Sequence, residues 1–106
     1  MTDNNQSSWI YEVNVKVDRS IEEEYRGVVE HHMKVITELP GFLGARRFEE
    51  HGGSSDKQVA WVIQYSAVDY EAIDNYFKTL APTLRLDTTK FGALVEATRR
   101  VLKPAN

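Results

Sequence analysis

No cysteine occurs among the 106 residues. That excludes disulfides, thiolate nucleophiles and cysteine-held zinc or iron–sulfur centres, and it fits a cytoplasmic protein. No basic stripe runs along the chain either: 13 Lys and Arg stand against 16 Asp and Glu, for a formal charge of −3. The basic doublets are Arg46-Arg47 and Arg99-Arg100, and strand alternation sends the two members of such a pair to opposite sides. Nucleic acid, which is held by clustered cations that displace counterions, is set aside as a partner. No apolar run approaches the roughly 20 residues that span a bilayer, so no membrane segment is expected. Residues 1–8 have neither the basic start nor the apolar run of a secretory signal and read as a flexible tail. A G-x-S-x-G elbow, a phosphate-cradling glycine loop and H-E-x-x-H are missing as well, and Asp69, Asp74 and Asp87 do not follow calcium-loop spacing.

What remains is an ordinary globular composition, 42% hydrophobic, in a chain the size of one domain. We expect that domain over residues 9–103. A chain this small has little interior to spare, so a large ligand cavity is easier to build with surface borrowed from a partner.

Residues 9–17 alternate with a period of two. Trp9, Tyr11, Val13, Val15 and Val17 make one apolar face, and Glu12, Asn14 and Lys16 lie on the other, which predicts a strand. Ser20 stands three residues before Glu23 and matches a capping box, so a helix should start at Ile21. Its inward stripe would be Ile21, Tyr25, Val28, Val29, His32, Ile36 and Leu39, and Pro40-Gly41 ends it. Residues 42–50 form the second strand. Residues 51–56 are a flexible turn, and residues 59–66, apolar on both faces until Gln64, form a third, central strand. Ser66 or Asp69 caps a second helix, with Ile73, Tyr76, Phe77 and Leu80 facing inward. Ala81-Pro82 interrupts it, and residues 84–91 read as an irregular connection with room for a helical turn after Asp87. Residues 93–102 read as a last strand, although Leu94 to Ala97 also fit a helix.

The order β-α-β-β-α-β predicts an α+β, ferredoxin-like fold. Two right-handed βα units build a four-stranded antiparallel sheet with two helices on one face, and the first and third strands lie in the middle.

Several segments carry a resemblance when taken together: Ile10-Tyr11-Glu12-Val13-Asn14, Leu39-Pro40-Gly41-Phe42, Arg99-Arg100-Val101-Leu102, His32 ten residues before Phe42, Tyr76-Phe77 and Phe91-Gly92. From Ile10 to Leu102 the chain resembles a family of short bacterial and eukaryotic proteins known as a domain of unknown function. That family sits in the dimeric α/β-barrel superfamily, beside the antibiotic-biosynthesis monooxygenase-like and stress-responsive barrel proteins. The resemblance implies a homodimer paired sheet to sheet with the helices outside, a dimeric α+β barrel. It implies no activity. Relatives include cofactor-free oxygenases, haem-degrading enzymes, chlorite dismutase-like haem proteins and proteins without known chemistry, and fold does not fix function.

His32 is the sharpest candidate for chemistry. Helical spacing turns it toward the sheet, where an imidazole can shuttle a proton, ligate haem iron or contact a ligand. A lone histidine on an apolar stripe is more commonly a satisfied core residue. Adjacent helical residues diverge by about 100°, so His31 and His32 do not chelate one metal; either enters only as a haem ligand. Glu12, Asn14 and Gln64 form a second group, solvated in a lone domain. In a closed barrel they would be buried and would need partners such as Arg46 or Arg47, or Arg99 or Arg100. Tyr11, Trp61, Tyr65, Tyr76 and Phe77, with Trp9, could wall a flat pocket beside His32, against the commoner role of aromatics as core filling. The ligand-binding set to look for is therefore His32, Tyr11, Asn14, Trp61, Tyr65, Tyr76 and Phe77, with His32 as the catalytic candidate.

These residues support a small dimeric protein that binds an apolar or aromatic ligand near His32 and requires no cofactor. The alternatives are a cofactor-free monooxygenase or isomerase with His32 as base, a haem protein, and a structural or interaction module.

Overall fold

A computed structural model describes residues 8–105. The predicted tail lies outside the described residues except for Ser8, which is buried just before the first strand. The elements run β1 (Trp9–Asp18), α1 (Glu22–Thr37), β2 (Phe42–Glu49), β3 (Gln58–Ala67), α2 (Tyr70–Thr79), α3 (Ala81–Thr89) and β4 (Val95–Leu102). Short 3-10 turns, Arg19–Ile21 and Gly92–Leu94, precede α1 and β4.

The strands form one sheet in the order β2-β3-β1-β4, every neighbouring pair antiparallel. This is the α+β, ferredoxin-like arrangement with β1 and β3 central. The last segment settles as a strand of the same sheet: Val13 lies opposite Ile63 on β3 and opposite Arg99 on β4. The period-two pattern works as expected because one face is covered by helices. Tyr11, Val15 and Val17 on β1, and Val59, Trp61, Ile63 and Tyr65 on β3, are buried there with Tyr25, Val29 and Ile36 of α1 and Ile73 and Tyr76 of α2. Ile73 is fully buried; removing such a side chain from water contributes about 1.5–3 kcal/mol.

Two local expectations are corrected. Ser20 does not cap α1. Asp18 sits two residues earlier, and its carboxylate accepts both the Ser20 backbone N–H at 2.9 Å and the Ser20 hydroxyl at 2.7 Å. The hydroxyl is thereby turned away from the helix, and the chain makes a 3-10 turn before α1 begins at Glu22 with no side-chain cap. The first-turn acids Glu22, Glu23 and Glu24 still favour the positive end of the helix dipole.

The second correction concerns the connection after Ala81, which is helix α3 and not an irregular stretch, so the sheet carries three helices rather than two. Pro82 lies in the first turn of α3, where its missing N–H has no helical partner to lose and its fixed φ suits the start. The proline thus opens a helix instead of breaking one. Asp69, and not Ser66, caps α2: its Oδ1 accepts the Ala72 N–H at 3.0 Å.

Gly41, between α1 and β2, adopts φ 88°, and a Cβ there would stand 2.6 Å from the Ala72 Cβ. Both the left-handed backbone and the close approach to α2 require glycine.

Candidate functional site

His32 leaves α1 on its inward side and meets α3. Its Nε2 lies 2.9 Å from Asp87 Oδ2. An ionised carboxylate only accepts, so Nε2 carries the proton and Nδ1 holds the lone pair. Two turns earlier on α1, the Tyr25 hydroxyl bonds Thr88 Oγ1 at 2.8 Å. These contacts tie α1 to α3 along one edge of a cavity between the sheet and the helices.

Tyr11 of β1, Tyr65 of β3, Tyr76 of α2, and Tyr25 and His32 of α1 line that cavity, with Arg85 and Thr88 of α3 and Arg99 of β4 among its other walls. Its empty space is about 430 Å³ with open solvent at the mouth included, and the centre of a water molecule reaches only about 30 Å³ of it. The Tyr11 ring packs on Tyr65 and Tyr76 at centroid distances of 5.7 and 5.4 Å.

The electrostatics keep Tyr65, Tyr76 and His32 neutral. Burial raises the Tyr65 phenol far above its ordinary range, helped by the neighbouring Tyr76 and Tyr11. Tyr76 is raised in the same way by burial and by Tyr11, against the opposing charges of Arg85 and Arg99. Both hydroxyls remain protonated and can donate. Burial also lowers the His32 imidazole below its usual value, against the upward pull of Asp87, while His31 and Arg99 add to the lowering. A neutral imidazole with a carboxylate partner can take a proton or accept a hydrogen bond; the site offers phenolic donors, one imidazole and a pair of guanidiniums around a narrow slot with both polar and apolar walls.

The rest of the predicted set lies elsewhere. Trp61 is buried on the helix-covered face but toward another part of the sheet, where the guanidinium carbons of Arg26 and Arg47 lie 5.4 and 5.1 Å from its ring. Phe77 stands behind the wall, edge-on to Tyr11 at 5.2 Å. Asn14 is on the opposite face of the sheet. There its Nδ2 donates to Glu12 Oε2 at 3.0 Å, Gln64 Nε2 donates to Oε1 at 2.9 Å and Arg100 Nε donates to Oε2 at 2.7 Å. Glu12 is only 3% exposed. Burial alone would raise its pKa, but the hydrogen bonds from Arg100, Asn14 and Gln64 outweigh burial and lower it. His31 is exposed, with its ring centroid 6.2 Å from that of His32. No group of three or more metal-ligating side chains gathers among the described residues. For haem, His32 already commits Nε2 to Asp87, and the space beside it is far too small for a tetrapyrrole with the helices as they stand.

Asp87, Arg85, Thr88 and Arg99 were not anticipated as site residues. The first three depend on α3 being a helix, which places Leu84, Arg85 and Thr88 toward one side. Arg99 could have been found from alternation along β4, which sends it to the helix-covered face with Val13.

A family model covers residues 8–105. The chain belongs to the family described as Domain of unknown function (DUF4286). Comparison with the curated proteins finds no match. Among solved structures, the DUF4286 chain is similar to SnoaB, a cofactor-independent oxygenase from Streptomyces nogalater, with a TM-score of 0.68 at 16% identity over 93% of this chain and 95% of that one. A candidate antibiotic biosynthesis monooxygenase from Deinococcus radiodurans gives a TM-score of 0.74 at 11% identity, covering 92% and 93%. The de novo designed protein Foldit4 gives 0.64 at 15% identity, covering 92% and 99%. At these identities the likeness establishes the shared antibiotic-monooxygenase-like fold. No helix among the described residues of this DUF4286 member is long and apolar enough to cross a membrane.

Proposed function

We propose that this protein binds a small, flat aromatic ligand in the cavity beside His32 and works as a homodimer in the cytoplasm. One observation carries the binding reading. Tyr11, Tyr65 and Tyr76 face His32 across a slot, and Asp87 fixes the orientation and tautomer of that imidazole at 2.9 Å. Apolar walls with a few convergent polar groups are the usual form of a small-molecule site. The resting slot is narrow, so a ligand enters by spreading α3 from the sheet. Titration of isotope-labelled protein with 2-naphthol tests this. The ring signals of His32, Tyr65 and Tyr76 should shift together, and Leu84→Trp, which fills the slot, should abolish the shifts. Absence of any shift at these rings, or shifts confined to the opposite face of the sheet, would refute the reading.

Pairing is supported by the open face of the sheet. Ile10, Val62 and Leu102 are half-buried there, Phe48 is 37% exposed, and Glu12 is already satisfied within the face. A carboxylate supplied with donors can be covered without an unpaired charge, which a stable interface requires. Sedimentation should give a dimer that Val62→Glu converts to monomer.

The His32–Asp87 pair also favours a second reading, catalysis by proton abstraction without a cofactor. Nδ1 of His32 would remove a proton from an acidified CH2 or phenol of the ligand. The resulting anion would react with dioxygen, one oxygen entering as a carbonyl and the other leaving as water. SnoaB is a cofactor-independent oxygenase of the same fold. Dioxygen uptake with an anthrone, lost in His32→Ala, would support this reading; binding without uptake leaves the protein a binder.

A further inference from the structure

The cavity carries a charge pattern that a neutral aromatic ligand would not use. Arg85 projects from α3 and Arg99 from β4, and both line the same slot. Each is exposed, so together they stand at its mouth while the tyrosines form its floor. Among the described residues neither has an ion-pair partner. Arg85 lies with its guanidinium carbon 5.9 Å from the Phe77 ring, which positions it without neutralising it. The nearby acid Asp87 is engaged by His32. Of the other arginines, Arg19 and Arg26 pair with Glu22, Arg47 with Glu30 and Arg100 with Glu12, while Arg46, on the opposite face of the sheet, has no ion pair among the described residues and lies over the Phe48 ring. From that position the Arg99 charge acts on Tyr25, His32 and Tyr76.

Resting on the ligand-cavity reading above, we propose that the ligand is an acid: a planar aromatic carboxylate or enolate whose ring lies among Tyr11, Tyr65 and Tyr76 and whose negative group sits between Arg85 and Arg99. Guanidinium groups bind carboxylates through paired, charge-assisted hydrogen bonds. The protonated phenols of the floor complement the pattern by donating to a second oxygen.

The test compares 2-naphthoate with 2-naphthamide, which has nearly the same shape and no charge. Binding is read by calorimetry and by the His32 and Tyr65 ring signals. The naphthoate should bind at least about tenfold more tightly, the gain expected of a charge-assisted hydrogen bond. Arg99→Gln and Arg85→Gln should each reduce the ratio, with folding checked by circular dichroism. Arg46→Gln removes the same charge from the opposite face of the sheet and should leave the ratio unchanged. Equal binding of both probes at the slot would overturn the acid preference and leave the cavity reading standing. A preference that Arg46→Gln reduces as much as Arg99→Gln would also overturn it, as a net-charge effect. Binding of neither probe would overturn both proposals.

Discussion

Replacing Arg100 with alanine removes the one full positive charge on the buried carboxylate of Glu12. The size of the loss depends on what covers that face of the sheet. Arg100 donates to Glu12 at 2.7 Å, and its own side chain is 63% exposed. In a lone protomer, water takes its place beside the carboxylate, while Asn14 and Gln64 continue to donate at 3.0 and 2.9 Å. The cost is then that of a largely solvated ion pair, about 1 kcal/mol. In a dimer closed over this face, water cannot enter, and the loss approaches the roughly 3–5 kcal/mol of breaking a buried pair. The difference of about 2 kcal/mol per protomer, about 4 kcal/mol for the two copies, must appear as weaker association, a rise of roughly a thousandfold in the dissociation constant. Urea unfolding at protein concentrations above and below the dissociation midpoint, with sedimentation of wild type and Arg100→Ala, measures both quantities.

Acid sensitivity supplies a second check on the same residues. Glu12 is held below its ordinary value of 4.5, so its contribution is complete above that pH and is lost as pH falls toward the folded-state value. Arg100→Ala should shrink this acid loss, because burial then acts with less opposition. An unchanged dissociation constant, with a cost near 1 kcal/mol at every concentration, would refute the claim that copies pair through this face. A cost near zero would refute the account of Glu12 itself.

Other perturbations follow from the same geometry. Gly41→Ala combines φ 88° with a 2.6 Å approach to Ala72 and should destabilise by roughly 2 kcal/mol or more, read as a lower Tm; a loss under about 0.5 kcal/mol would show that the turn relaxes freely. Ile73→Ala, at a fully buried position, should cost roughly 2–5 kcal/mol in denaturant unfolding. Asp69→Ala removes the cap on α2 and should cost about 1 kcal/mol, whereas Ser66→Ala should not reproduce a capping loss. His32 is held below its ordinary value of 6.5, so an unfolded chain takes up its proton first. Stability should therefore fall as pH drops from about 6.5 toward the folded value, with Asp87 opposing the fall and His31 and Arg99 adding to it. His32→Gln should flatten that slope, and a steeper slope in the variant would contradict the burial account.

The strands and the core were legible because alternation is a local property and one face of the sheet is fully covered. Tyr11, Val15 and Val17 could not be exchanged for Glu12 and Asn14 without burying charge against α1. The stripe that turns His32 inward was legible for the same reason. Periodicity fixes a face but not a position along it, which is why Trp61, facing the right way, stands with Arg26 and Arg47 instead of in the cavity. The cap of α1 was misread because two acceptable acceptors compete within three residues, and Asp18 outcompetes Ser20. The partner of His32 was hidden more deeply. Asp87 lies 55 positions away, and it reaches the imidazole only because a proline read as a stop begins a helix that packs across α1.

The fold itself says little about chemistry, since a designed protein adopts it as readily as an oxygenase does. What distinguishes this chain is where its side chains interrupt the apolar layer, and β4 shows how economically a strand can do so. Arg99 and Arg100 are neighbours in sequence, yet alternation sends one to the cavity with His32 and Tyr76 and the other to Glu12 on the far side of the sheet. The two proposed surfaces, for ligand and for partner, therefore lie back to back across β1 and β4. A one-residue slip of β4 would exchange them, placing Arg99 over Glu12 and turning Arg100 into the cavity, and it would also carry Val95 and Val101 off the core face. The apolar pair thus holds the register that keeps each guanidinium on its own side, and weakening either valine should disturb both sites at once.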